Sequence, residues 1–304
     1  MSSHKTKILS PFVLVCLLFW PIALYAVPPS LVINLWPGAA PGEKIKLPEE
    51  SNVTKPTDRI VANKPVIRIG NVSTPTISIY RPPAQKDIGT TALVFPGGAY
   101  NILATDIEGT EICEWLNSIG VTAALLKYRV PRREGLEKHS APLQDAQRAM
   151  SILRHRAANL DLRRIGVIGF SAGGHLATTL LSSGTKRTYA EFDAADKESC
   201  RPDFALLIYP AYLTLTNNLT QLSAEVAVTT NHPPTFLAMT QDDGQHVENV
   251  LSYFLALQQA KISSELHIYP TGGHGYGLRR TGSISATWPD RATDWFRSQG
   301  LLTR

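Results

Sequence analysis

The stretch Gly169-Phe170-Ser171-Ala172-Gly173 constrains this chain more than any other feature. An apolar run, Ile165-Gly166-Val167-Ile168, leads straight into it, and Gly174-His175-Leu176-Ala177 leads out as a helix. A serine between a buried strand and a helix sits on a sharp turn with strained backbone, where side chains at the two flanking positions would collide with neighbouring backbone. The helix that follows aims its N-terminal partial positive charge at the same point. The bare pattern arises by chance, and a glycine-rich turn that only packs a helix on a strand is the competing reading. The strand before and the helix after make it specific.

The same alternation runs through the rest of the chain. Residues 27–65 are rich in proline and turn residues and read as a mostly irregular arm. Segments 65–69 and 76–80 show strand-like alternation and predict a hairpin. Residues 91–95 form an apolar run ended by Pro96-Gly97-Gly98, and 105–118 reads as a helix with Thr105 and Glu108 spaced as a capping box. Strands are predicted over 121–126, 165–170, 204–209, 235–239 and 265–269. Helices are predicted over 142–158, 171–181, 247–260 and 289–298. Strand alternating with helix implies an α/β fold, with a mostly parallel central sheet and helices on both faces, as a single domain over 66–304. In such sheets ligands bind at the carboxyl ends of the strands.

The 304 residues are 43% hydrophobic and 18% charged, an ordinary globular balance. Lys5 and Lys7 precede an apolar run from Ile8 to Ala26 that Ser10, Pro11 and Pro21 interrupt. This predicts a secretory signal peptide over 1–26 and a secreted or periplasmic location. The prolines and the short uninterrupted run argue against a retained membrane anchor. The net charge of +5 includes those two lysines, so the surplus is too mild to imply a nucleic-acid partner. Cys113 and Cys200 remain beyond Cys16. Sequence leaves open whether they pair, although the apolar setting of Cys113 suits a buried free thiol. No metal-ligand spacing, phosphate loop or dinucleotide fingerprint is present, so no cofactor and no metal are expected.

A serine hydroxyl needs a base. With the order serine, acid, histidine along the chain, five of the eight histidines remain, and His175 and His267 read as helix and strand residues. His274 lies in the glycine-rich loop Gly272-Gly273-His274-Gly275-Tyr276-Gly277, from which an imidazole can reach a distant serine. The acid should follow strand 235–239. Asp243 is chosen because it begins the turn before the next helix, with Asp242 as a competitor. Backbone donors for an oxyanion are expected from Ala172 and from Gly98 and Ala99 in Pro96-Gly97-Gly98-Ala99-Tyr100. Glu108 reads as a helix cap, Glu111 and Asp145 as surface or supporting groups.

Together these residues resemble a known group. Pro96-Gly97-Gly98-Ala99-Tyr100, Glu108-Gly109, Lys127-Tyr128-Arg129, Asp145-Ala146-Gln147-Arg148-Ala149, the serine stretch through Ala177, Gly272 to Leu278 and Trp36-Pro37-Gly38 are similar to those of secreted bacterial α/β-hydrolases related to acetyl xylan esterases and feruloyl esterases. The resemblance implies the α/β-hydrolase fold, a Ser–Asp–His triad, no cofactor and hydrolysis of esters, often acetyl groups on plant polysaccharide. Two departures stand out. Ala99 replaces a third glycine, and Gly244-Gln245-His246 replaces a proline-containing turn after the acid. The expectation is therefore a serine ester hydrolase acting on a small-molecule or polysaccharide ester. A general carboxylesterase, lipase or peptidase on the same frame, or a non-catalytic carbohydrate-binding protein, are the alternatives.

Overall fold

The computed structural model describes residues 28–44 and 46–304. The predicted signal peptide lies outside the described residues. Eight strands form the central sheet: β1 (Leu31–Asn34), β2 (Thr76–Tyr80), β3 (Thr90–Phe95), β4 (Thr122–Lys127), β5 (Arg164–Phe170), β6 (Ala205–Ile208), β7 (Thr235–Thr240) and β8 (Ser264–Tyr269). They lie in the order β1-β2-β4-β3-β5-β6-β7-β8. The pairs β1–β2 and β2–β4 are antiparallel, and every later pair is parallel. This is the α/β-hydrolase fold in one domain.

Every residue of β3, and all but the first of β5, is buried. Alternate side chains of a strand point to opposite faces, so both faces must be covered. The helices are α1 (Glu111–Ser118), α2 (Ser140–His155), α3 (Ala172–Ser183), α4 (Glu248–Gln259) and α5 (Trp288–Ser298). Helices α1 and α5 pack together through Trp115 against Trp288 and Phe296, at ring-centre distances of 5.2 and 6.4 Å. Helices α2 and α3 form the other contacting pair. No helix among the described residues is long and apolar enough to cross a membrane.

One sequence expectation needs correction. Segments 65–69 and 76–80 are not a hairpin. β2 enters the main sheet between β1 and β4, while Arg68–Gly70 joins Ser51–Asn52 and Leu103–Ala104 in a small separate sheet. Both runs carry β-forming residues, but their partners are remote in sequence, which alternation cannot reveal. Among its described residues, the N-terminal arm has strands only at Leu31–Asn34, which closes one edge of the main sheet, and at Ser51–Asn52. Cys113 and Cys200 are both free and buried, and form no disulfide.

Four of the segments quoted for the family resemblance, those of Trp36, Pro96, Tyr128-Arg129 and Asp145, meet in one network. Asp145 is fully buried and accepts from the Arg129 Nε–H at 2.9 Å, the Arg129 backbone N–H at 3.0 Å and the Trp36 Nε1–H at 2.9 Å. Arg129 also donates to the carbonyls of Pro41 and Ala141. Asp145 is thus a structural anchor, not a surface group. A buried ion pair of this kind contributes little net stability, but removing one partner strands the other charge at a cost of about 3–5 kcal/mol. Beside it, the Tyr128 hydroxyl donates to the Pro96 carbonyl at 2.6 Å, which ties the network to the loop after β3.

Candidate active site

β5 runs into Ser171 without a connecting loop, and α3 begins at the next residue. A side chain at Gly169 would place its Cβ 2.3 Å from the Gly173 carbonyl oxygen. One at Gly173 would stand 2.0 Å from the Phe95 carbonyl oxygen at the end of β3. Neither approach tolerates a carbon atom, so the close packing of the elbow requires both glycines. Ser171 takes φ 52° and ψ −120°, a conformation that costs a non-glycine residue about 1–3 kcal/mol. The turn lifts Oγ above the carboxyl edge of the sheet, at the N-terminus of α3.

Two loops from the same edge reach it. His274 Nε2 lies 2.7 Å from Ser171 Oγ, and His274 Nδ1 lies 2.8 Å from Asp243 Oδ2. A carboxylate only accepts, so Nδ1 carries the proton and Nε2 is left to accept from the serine hydroxyl. Asp243 is buried, and its second oxygen accepts from the Gln245 N–H at 2.7 Å. Asp242 faces the other way. It accepts from the N–H groups of Gly273 at 2.8 Å and Gly272 at 3.2 Å, and the Gly273 bond is the main cause holding its carboxyl below the usual range. One carboxylate meets the imidazole, and its neighbour folds the loop that carries the imidazole. His175, in the first turn of α3, is fully buried, and His267 pairs with Glu265 on the last strand.

Gly98 and Ala99 line the cleft beside Ser171. Their N–H groups have no hydrogen-bond partner among the described residues. Ala172 is the first residue of α3, where N–H groups lack an intrahelical acceptor. Ala99 has φ 54°, the left-handed conformation a glycine adopts without strain. The alanine therefore follows the path expected of the glycine it replaces, at some conformational cost.

Glu108 departs from its expected role. Thr105 makes no side-chain cap, and Asp106–Thr110 form a π-helical turn leading into α1. Glu108 is buried and points into the site. Its Oε2 accepts from the Gly97 N–H at 2.7 Å, and its Oε1 from the Tyr209 hydroxyl at 3.0 Å. The Tyr209 oxygen in turn accepts from the Gly277 N–H at 3.0 Å. This chain of bonds joins the loop of Gly98 and Ala99 to the loop of His274. Burial pushes the Glu108 carboxyl above its ordinary range, against the opposing pull of the His274 imidazole and the two hydrogen bonds. The signal was present in the sequence. Ile112, Trp115 and Leu116 lie four, seven and eight positions on, which sets Glu108 on the apolar face of the helix. Glu111 and Asp106 of the same segment pair with Arg279 at 2.8 and 2.7 Å.

The cleft has a volume of about 300 Å³ and includes Ser171, His274, Glu108, Gly98 and Ala99, with Arg59 and Arg68 also in its lining. A hydroxyl beside an imidazole, a buried carboxylate behind that imidazole and unpaired N–H donors alongside are the groups that acyl transfer requires.

Comparison with known proteins places the chain among related sequences and structures. Residues 77–203 match the BD-FAE family model. The crystal structure of an acetyl ester-xyloside bifunctional hydrolase from Caldicellulosiruptor lactoaceticus is similar, with a TM-score of 0.68 and 32% identity. The match covers 90% of this chain and 98% of that one. An acetylxylan esterase of Xylanibacter ruminicola is 27% identical over 220 residues, which is 64% of this chain and 42% of that protein. An endo-1,4-beta-xylanase B of Butyrivibrio fibrisolvens is 31% identical over 205 residues, covering 60% of this chain and 32% of that protein. The chain thus spans less than half the length of either of these two curated relatives.

Proposed function

We propose that this chain, which belongs to the BD-FAE family of α/β-hydrolases, is a serine carboxylic ester hydrolase that removes acetyl groups from acetylated sugars or xylan. The single observation that carries the reading is the relay of Asp243, His274 and Ser171, with contacts of 2.8 and 2.7 Å. Ser171 Oγ attacks the acyl carbon as His274 Nε2 takes its proton, and Asp243 steadies the imidazolium that forms. The carbonyl oxygen gains negative charge and is met by the N–H groups of Gly98, Ala99 and Ala172. The tetrahedral adduct collapses, His274 returns the proton to the departing sugar oxygen, and the acyl group stays on Ser171. Water then enters and attacks the acyl carbon as His274 takes its proton; the second adduct collapses with cleavage of the bond to Ser171 Oγ, His274 returns the proton to that oxygen, and acetate leaves.

The acetyl-sugar substrate is supported by the names of the relatives, an acetylxylan esterase and an acetyl ester-xyloside hydrolase. Between β6 and β7 the chain carries only a short hairpin, Thr214–Leu215 with Asn218–Leu222, and this favours a cleft accessible to a polymer. In the same reading residues 1–26 direct secretion to the periplasm or the medium. The catalytic domain is residues 66–304, extended by the β1 edge strand.

Acetate release from acetylated xylo-oligosaccharides, compared with p-nitrophenyl esters and peptides, tests the reading against a Ser171→Ala control. Deacetylation that falls by at least about 10³-fold in Ser171→Ala is expected. Undiminished activity in that variant would refute the serine mechanism. Turnover of long-chain esters or peptides alone would refute the substrate class.

A further inference from the structure

Behind the nucleophile helix, the fold gathers three residues that the sequence leaves far apart. His139 precedes α2, His175 lies in the first turn of α3, and Glu225 lies in the segment between β6 and β7. One ligand atom of each lies within 4.8 Å of the other two, and no other such group occurs among the described residues. His175 is fully buried. Its Nε2 is 3.3 Å from Glu225 Oε1, and its Nδ1 is 2.8 Å from the Tyr100 hydroxyl. The His139 ring packs edge-on against the His175 ring at 5.6 Å, and its Nδ1 is buried without a hydrogen-bond partner. A buried orphan nitrogen is costly and asks for an explanation. The ester chemistry uses none of the three residues.

We propose that His139, His175 and Glu225 bind a divalent transition-metal ion of the zinc type. Two ligands on a tetrahedral ion with bonds of about 2.0–2.1 Å stand roughly 3.3 Å apart, and the His175–Glu225 separation matches that edge. Two imidazoles and one carboxylate suit Zn²⁺, whereas Mg²⁺ and Ca²⁺ call for oxygen donors throughout. Binding through Nε2 leaves the His175 proton on Nδ1, donated to the Tyr100 oxygen. This is the outer bond that orients a ligating imidazole. Lys138 is the opposing charge nearby, and its ammonium is engaged over the Tyr212 ring at 4.3 Å. Glu225 also lines a cavity that can supply a water as fourth ligand. Tyr212 lines both this cavity and the catalytic cleft, so the ion would pin the cleft wall to α2 and α3.

Calorimetric titration of the full chain with ZnCl₂ tests the site, repeated on Glu225→Gln, His139→Ala and His274→Ala. Far-UV circular dichroism of the metal-free variants checks that they fold. The wild type should take up one equivalent and gain thermal stability. Glu225→Gln and His139→Ala should each bind at least about tenfold more weakly, while His274→Ala should bind as the wild type does. No uptake by the wild type, or unchanged affinity in the first two variants, would overturn the proposal. Loss of uptake in His274→Ala would do the same, because it would put the ion at the serine. The readout does not depend on ester hydrolysis, so it stands or falls apart from the catalytic reading.

Discussion

The carboxylate of Glu108 accepts the backbone N–H of Gly97 at 2.7 Å, inside a site whose other acid sits on the histidine. That bond fixes the residue immediately before the two expected oxyanion donors. Through Tyr209, the same carboxylate also steadies the His274 loop. Glu108→Gln keeps the shape, but it puts an amide where one of two accepting oxygens stood. The expected result is a fall in kcat of roughly 10- to 100-fold with KM little changed, less than the full loss of an oxyanion donor. Steady-state kinetics on p-nitrophenyl acetate reads this. A rise in KM at constant kcat would mean that Glu108 acts on substrate binding instead.

Asp242 and Asp243 separate the roles of two adjacent carboxylates. Asp243→Asn removes the acceptor that sets the His274 tautomer, and kcat should fall by about 10³–10⁴-fold. Asp242→Asn only weakens the bonds that fold the loop at Gly272 and Gly273, so activity should fall by less than about tenfold. A reversed order of the two effects would contradict the geometry.

The strained backbone of Ser171 predicts a trade between stability and activity. Glycine adopts φ 52° without the cost a serine bears. Ser171→Gly should therefore abolish ester hydrolysis and stabilise the fold by about 1 kcal/mol, seen as a higher thermal midpoint. A lower midpoint would show that the elbow carries no such strain.

These sites also mark what the sequence disclosed and what it hid. The β5–α3 turn that carries Ser171 and the loop that brings His274 beside it were legible because each is set by local order: strand, tight turn and helix, then a glycine-rich loop. The choice between Asp242 and Asp243 was not, because successive residues point apart and only the folded loop decides which one faces His274. Glu108 was misread because a capping box and an inward carboxylate share the same spacing. The hairpin failed because β2 finds its partners, β1 and β4, across the chain. Asp145 was left as either a surface or a supporting group because its partners Arg129 and Trp36 are 16 and 109 residues away. Nothing local marks His139, His175 and Glu225 as neighbours.

His232 gives a pH signature. It is buried, and burial depresses its imidazole from the usual 6.5 to about 4, while the Thr229 N–H donates to Nδ1 and so also favours the neutral ring. The folded state keeps the ring neutral, while the unfolded chain takes up a proton below 6.5. The stability it contributes is thus complete above pH 6.5 and is lost as pH falls through 4. The amount is on the order of 3 kcal/mol. His232→Gln keeps an acceptor but no titration, so its urea midpoint should fall less between pH 6.5 and 4 than that of the wild type. Parallel curves for the two proteins would contradict this.

The most direct test of the central claim is to find the acyl group. Protein quenched during turnover of p-nitrophenyl acetate, digested and read by tandem mass spectrometry, should carry one acetyl on the Ser171 hydroxyl, and none in His274→Ala quenched at the same early time. An acetyl group on another residue, or turnover with Ser171 never acylated, would contradict the account.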